Sequence, residues 1–367
     1  MKYKTIQLNH TEEIMQKYGV NSLMAKVIES KKLDQKQFEA FMDPHLIYHD
    51  FSLFEESDET LERIEEAIEN KEKICIYGDY DCDGILATAI LVQAFHERGV
   101  EVGYHIPNRF TDGYGLNTTR VEQMAEKGYS LIITVDNGIK AFDAVEKAGE
   151  LGIDVIITDH HAFDGEVPVA YSIIHTKMSP NYPFKEICGG FIAYKLAAAL
   201  LKHHDPYLFT LAAITTISDM MPLLDENRSL VRRGLEFMKQ YKYPALELLR
   251  GNREYDVTTI GFTIAPRINA FGRLPELVNP VCLVKYFLKG THPDYLEKVS
   301  QFATKINSKR QSMTTTLYKE AVTDTTSPCL FYGSEDMHEG LVGLVAGKYA
   351  REYEQPAFVM HYDSKKE

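Results

Sequence analysis

Three apolar runs restrict the fold of this chain more than any other feature. They are ICIYG (74–78), LIITV (131–135) and VIIT (155–158), and helix-patterned stretches of ten or more residues separate them. ETLERIEEAIENKEK precedes the first run, ILATAILVQAFHERG comes after it, and VEVGYHI reads as a further strand. NTTRVEQMAEKG and AFDAVEKAGELG supply the next helices. Strands alternating with helices in this rhythm build βαβ units around a mostly parallel sheet. Runs apolar at successive positions, rather than at every second one, fit strands covered on both faces. The expectation is an α/β fold with helices flanking a mostly parallel sheet. Beyond Gly189 the pattern turns helical, through FIAYKLAAALL, LFTLAAITTISDMM and ENRSLVRRGLEFMKQ, with a polar helical stretch from about Asp294 to Thr323. PCLFYG, GLVGLVAGKYAREYE and PAFVMHY then read as strand, helix, strand, a second small α/β unit.

The residues at the carboxyl end of each buried-type strand are unusually uniform in kind. Asp79, Asp81 and Asp83 come after the first, Asp136 after the second, and Asp159, His160 and His161 after the third. Asp219 ends the apolar run LAAITTIS. Ligands of open parallel sheets gather at the carboxyl ends of the strands, so these groups can converge on one edge. Taken singly, DxD is most often a solvated turn, DHH a helix cap, and Asn-Gly a turn pair. Taken together they describe crowded carboxylates, which raise one another's pKa unless a cation neutralises them. Oxygen ligands with one or two imidazoles suit Mn²⁺ or Mg²⁺ better than zinc. Two such ions about 3.5–4 Å apart, sharing a carboxylate, are suited to phosphoryl transfer to water.

Composition limits the alternatives. The chain has 367 residues, long enough for about two domains. Its five cysteines are scattered without CxxC pairing, which argues against a disulfide framework or a zinc site and for a reducing, cytoplasmic setting. No apolar h-region is readable near Met1, and GFIAYKLAAALL is too short to span a bilayer, so no membrane role is expected. The net charge of −13 weakly opposes a polyanionic partner. Bound divalent cations would invert the local field, so nucleic acid stays open.

DYDCDG, VDNGI, TDHH and SDMMPL, in that order, resemble the four motifs of the DHH phosphoesterase superfamily. PNRFTDGYGLN and APRINAFGRL narrow the likeness to RecJ-like single-strand-specific 5′→3′ exonucleases, and MHEGLVGLVAGKYAREYEQPAFVM is similar to the opening of a DHHA1 domain. The resemblance implies an N-terminal extension (1–50), a DHH catalytic domain (51–225) and a helical connector that includes PRINAFGR (226–325). The start of a nucleic-acid-binding DHHA1-type domain (326–367), incomplete at its end, would come next. It implies two cations, Mn²⁺ or Mg²⁺. Asp79, Asp81 and Asp136 would hold one, and Asp83, Asp136, His160 and Asp219 the other, with Asp136 bridging. Asp159 would orient His160, and His161 would face the scissile phosphate.

Arg109 stands after a strand end, and Arg267 and Arg273 flank Asn269 in PRINAFGR. A guanidinium matches phosphate bidentately, which makes these candidate substrate contacts, with ion pairing to nearby acids as the plain alternative. His338, ahead of a Gly-rich helix start, is a further candidate contact. Phe110, Tyr114 and Phe271 could stack on bases or lie in the core. Cys82 stands where relatives commonly carry alanine and is expected to point away from the metals. Met337 replaces a frequent Trp.

The function these residues imply is metal-dependent hydrolysis of single-stranded DNA from its 5′ end, in recombination and repair. A single-strand-binding protein and a helicase are the further partners the resemblance implies. A superfamily phosphodiesterase acting on short oligoribonucleotides or cyclic dinucleotides is the first rival. A non-catalytic replication-associated DNA-binding factor is the second, and it should have lost ligands that are all present here.

Overall fold

A computed structural model describes residues 6–33, 35–43, 45–320 and 327–362. Five parallel strands form the main sheet: β1 (Ile74–Tyr77), β2 (Gly103–His105), β3 (Leu131–Val135), β4 (Asp154–Thr158) and β5 (Ser172–Ile174). Their order is β2-β1-β3-β4-β5, with Cys75 beside Gly103 on one flank and Ile132 on the other. The mostly parallel sheet flanked by helices is as expected. The fifth strand was not legible, because Ser172–Ile174 is three residues long and carries no turn signal of its own.

Side chains alternate across each strand, and the alternation feeds two cores. Ile74, Ile76, Leu131, Ile133 and Val135 pack on one face with the helices Cys82–Glu97, Gly189–Leu201 and Pro206–Ser218. Cys75, Tyr77, Ile132, Val155 and Ile157 pack on the other with Thr118–Glu126 and Phe142–Glu150. The helix Cys82–Glu97 is buried from Cys82 to Phe95. A helix apolar on all sides must lie inside the protein, and this one lies between the sheet and two further helices.

The chain leaves β1 toward β2 on one side and returns to β3 on the other. The carboxyl ends of β1 and β3 therefore bound the crevice at the switch point, where open sheets bind ligands. Beyond residue 225 the chain is helical up to Glu320, the last helix running Pro293–Glu320. The boundary expected near residue 325 lies outside the described residues. The strands β6 (Leu330–Ser334) and β7 (Ala357–His361) pair in parallel, and the helix Val342–Tyr353 packs on them through Val345 and Tyr349. Among the described residues, no helix is long and apolar enough to cross a membrane.

Candidate active site

The stretch DYDCDG is not strand-like. Asp81 is the N-cap of the helix Cys82–Glu97, its carboxylate accepting the Gly84 N–H at 3.1 Å, and Asp83 lies in the first turn. The three acids converge because a strand end runs directly into a helix start, not by β-alternation. Cys82 still points away, as expected, into the core at 1% exposure. The Asp83 carboxylate accepts N–H bonds from Gly189 and Gly190, both at 2.8 Å, at the start of the helix Gly189–Leu201. A helix N-terminus favours negative charge. Glycine is required here: a Cβ on Gly189 would stand 2.5 Å from the Asp136 Cβ.

Asp136 stands just past β3 with φ +61°, a left-handed conformation uncommon for a residue with a side chain. Its N–H extends the ladder to the Thr158 carbonyl at 3.0 Å. The turn points its carboxylate into the crevice, where it is 2% exposed and its Oδ1 lies 3.1 Å from His160 Nε2. His160 Nε2 is also 3.8 Å from Asp83 and 3.7 Å from Asp219.

Potential ligand atoms fall into triplets whose members lie within 4.8 Å of one another. Asp79, Asp81 and Asp136 form one; Asp83, His160 and Asp219 form another; Asp136, His160 and His161 form a third that joins them. The charge state shows what the cluster is suited to hold. Burial first, then Asp81, pushes Asp79 up to about 8, and burial with Asp83 pushes Asp219 up to about 7. Asp136 is raised well above the usual range by burial and by Asp83, Asp81 and Asp79. The buried Asp79 Oδ1 has no hydrogen-bond partner, and Asp136 Oδ1, though 3.1 Å from His160 Nε2, is not aligned for a hydrogen bond with it. Orphaned carboxylate oxygens of this kind call for a cation, and the all-oxygen set with imidazole suits Mn²⁺ or Mg²⁺.

Asp159 serves a different partner from the one expected. Its Oδ1 bonds the His161 ring at Nδ1, 2.7 Å away, while His160 gives it only a backbone N–H, also at 2.7 Å. His161 is the next residue in the turn, so its ring, not that of His160, folds back onto the carboxylate. Burial favours neutral Asp159, but the His161 bond and backbone N–H groups of Ile139 and His161 outweigh it and lower its pKa. Burial likewise disfavours charged His161, yet Asp159 raises its pKa. Tyr114 Oη sits 3.1 Å from His161 Nε2.

The basic candidates separate. The Arg109 guanidinium lies 4.4 Å from the Tyr80 ring centroid, and its buried Nε has no hydrogen-bond partner. Arg273 donates to the Gly340 carbonyl at 3.2 Å, and burial with the Arg109 and Arg310 charges lowers it to about 10. Arg109, Arg273 and Arg310 therefore form a cationic group beside the acids. Arg267 is directed elsewhere, donating to the Leu249 carbonyl. Asn269 is occupied structurally: its Oδ1 accepts the Cys82 N–H at 2.7 Å, tying PRINAFGR to the helix that carries Asp83. His338 accepts the Gly340 N–H at 3.1 Å and meets Glu276 at 3.3 Å, its ring edge-on to Phe110. Phe271 is fully buried and belongs to the core, whereas Phe110 and Tyr114 are exposed.

Sequence reasoning passed over Tyr80 and Arg310. Tyr80 had a signal, its place between two ligand candidates; Arg310 lies in a polar helix where nothing distinguishes it from its neighbours.

A parallel sheet that gathers carboxylates and imidazoles at its switch-point crevice is a frame suited to divalent-cation-dependent phosphoester chemistry. Residues 73–217 match the DHH family, N-terminal domain. The chain is 38% identical to the single-stranded-DNA-specific exonuclease RecJ of Bacillus subtilis over 321 residues, 84% of this chain and 40% of the relative. It is 31% identical to the Escherichia coli protein of the same name, covering 82% of this chain and 57% of the relative. The crystal structure of RecJ with Mn²⁺ from Thermus thermophilus superposes with a TM-score of 0.82 at 26% identity, over 97% of this chain and 53% of that one. An exonuclease RecJ bound to manganese gives 0.77 at 28% identity, over 87% and 82%. Residues 73–217 thus carry the DHH-family N-terminal domain, and the chain as a whole is similar to RecJ proteins. It spans about half the length of the curated relatives it matches.

Proposed function

We propose that this chain is a divalent-cation-dependent exonuclease that hydrolyses single-stranded DNA from the 5′ end. The observation that carries the reading is the junction of two ligand triplets at Asp136, with the guanidinium groups of Arg109 and Arg273 alongside. The similarity to single-stranded-DNA-specific exonucleases, with two RecJ structures solved with manganese, supports the substrate class and Mn²⁺ or Mg²⁺ as the cofactor.

Asp79, Asp81 and Asp136 would hold one cation, and Asp83, His160 and Asp219, with Asp136, the other. When bound, the pair supplies Lewis acidity to water and to the phosphate oxygens. The protein's own residues do the rest. His161, its ring held by Asp159 through the 2.7 Å contact at Nδ1, faces the reacting phosphate and hydrogen-bonds its developing charge. Arg109 and Arg273 hold the phosphate of the 5′ terminus, which fixes which end enters. Water adds to phosphorus, the bond to O3′ of the terminal nucleotide breaks, and the shortened strand retains a 5′-phosphate for the next cycle. A cytoplasmic setting, recombination and repair as the process, and a single-strand-binding protein and helicase as partners complete the proposal.

Single strands labelled at the 5′ or the 3′ end, digested with Mn²⁺ and with Mg²⁺, test it. The 5′ label should appear at once as mononucleotide while the 3′-labelled strand shortens stepwise. Faster cleavage of a dinucleotide than of a 20-mer would favour a small-substrate phosphodiesterase instead.

A further inference from the structure

Two cavities lie near the site, the second lined in part by Asp159 and His161. One, of about 590 Å³, lies between Phe110, His338 and the Pro293–Glu320 helix. The other, of about 450 Å³, opens between the ends of β3 and β4 and the 114–116 loop, and phosphodiester hydrolysis at the acids leaves it without a role. Tyr114, Leu116, Ile139, Ala141 and Ala162 give it apolar surface, and Asp159 and His161 are the polar groups on the side of the acids. Leu116 and Ile139 are 5% and 1% exposed, whereas the Tyr114 ring is 52% exposed. Gly115 and Gly138, both at positive φ, line it without adding side chains.

Rings connect this cavity to the cationic group. Arg109 lies over Tyr80 at 4.4 Å, Tyr80 meets Tyr114 edge-on at 6.3 Å, and Tyr114 reaches His161. A nucleotide with one phosphate at Arg109 and the next at the acidic cluster would run along this aromatic wall. Its flat, apolar base would then have a largely apolar cavity, within the range of about 300–1,000 Å³ typical of small-ligand sites, beside it.

We propose that this second cavity is a nucleobase subsite, holding the base of the 5′-terminal nucleotide that is released. The inference rests on the exonuclease reading and adds to it a site and a ligand class. Apolar walls and one aromatic face accept any base by stacking, so the subsite takes purines and pyrimidines alike. Lys140, exposed at the rim, adds a cation near the nucleotide.

Two measurements on the full chain test the subsite. In the first, 20-mers with an ordinary or an abasic 5′-terminal sugar are compared in the parent and in Ala141→Phe, which fills the cavity. The variant should lose at least tenfold in kcat/KM on the ordinary strand and less than twofold on the abasic one. Equal losses on both, or no loss on either, would overturn the subsite. Ala162→Phe repeats the comparison from the opposite wall should Ala141→Phe fail to fold. In the second, equilibrium binding of dAMP and of 2-deoxyribose 5-phosphate is measured by calorimetry without turnover. The parent should prefer dAMP at least tenfold, and filling the cavity should erase the preference. No preference in the parent contradicts the subsite. A dAMP preference in a parent that degrades no single strand would instead overturn the exonuclease reading and leave the base site standing.

Discussion

Stripping divalent cations from this protein should make its stability fall as pH rises through neutrality. Burial and the neighbouring Asp81 push Asp79 up to about 8, against 3.8 for an ordinary aspartate. A group whose pKa is raised by folding binds more protons folded than unfolded. Its stabilising contribution is complete below pH 3.8 and is lost as pH climbs toward 8. One such group costs about 1.4 kcal/mol per pH unit in that window, so Asp79 alone approaches roughly 5 kcal/mol by about pH 8. Asp219, near 7, and Asp136 act in the same direction. So does His161, whose raised pKa gives stability that is present below 6.5 and lost above it. His160 opposes them, since burial lowers its pKa and its stability term grows up to 6.5. Asp159, held low, contributes stability already complete above 3.8. Net loss therefore dominates between about pH 6 and 8. Urea unfolding of chelator-treated protein at the two ends of that window reads it, with and without millimolar Mn²⁺. The cation should restore stability most at the alkaline end and release protons on binding. Asp136→Asn should flatten the profile and raise metal-free stability there while abolishing nuclease activity. Equal stability of the stripped parent at the two pH values would show that the buried acids do not carry these shifts.

Individual contacts give three more expected outcomes. Arg109→Ala should lower kcat/KM on a 5′-phosphorylated strand at least tenfold more than on a 5′-hydroxyl strand; equal losses would give the residue another role. Asn269→Ala removes the acceptor for the Cys82 N–H and should cost about 1 kcal/mol in urea unfolding, with weaker Mn²⁺ binding, since that helix carries Asp83. Lys195, fully buried, donates to Glu226 at 2.7 Å and to the His49 carbonyl. Lys195→Met should cost about 3–5 kcal/mol by leaving the buried Glu226 charge without its cation, though Tyr182 and the His49 N–H still donate to it, and adding Glu226→Gln should recover much of the loss.

The sheet and most of the acidic cluster were legible because Asp79, Asp136 and Asp159 come directly after runs that read as buried strands, whereas Asp219 ends the helix Pro206–Ser218. Residues at the ends of neighbouring parallel strands have little freedom in where they meet. Side chains on helices are different, since their direction depends on which face the tertiary packing turns inward. Arg267 and Arg273 share one helix, yet one reaches Leu249 and the other Gly340. Asn269 was read as a substrate contact because its neighbours are arginines, and only the fold shows it bonded to Cys82. Phe271 looked like a stacking residue for the same reason and is core. DYDCDG alternates like a strand, but Asp81 is a good N-cap and the apolar stretch after Gly84 is long enough for a helix, so helix geometry prevailed. Which histidine Asp159 serves could not be read from DHH, since both are within reach of its carboxylate.

Whether Asp136 is shared between two cations can be read by titrating the chain with Mn²⁺ and recording electron paramagnetic resonance. Sharing predicts two Mn²⁺ per chain whose signal is exchange-coupled through a common ligand, and loss of that coupling in Asp136→Asn. A single Mn²⁺ per chain, or two that remain magnetically independent in the parent, would contradict it.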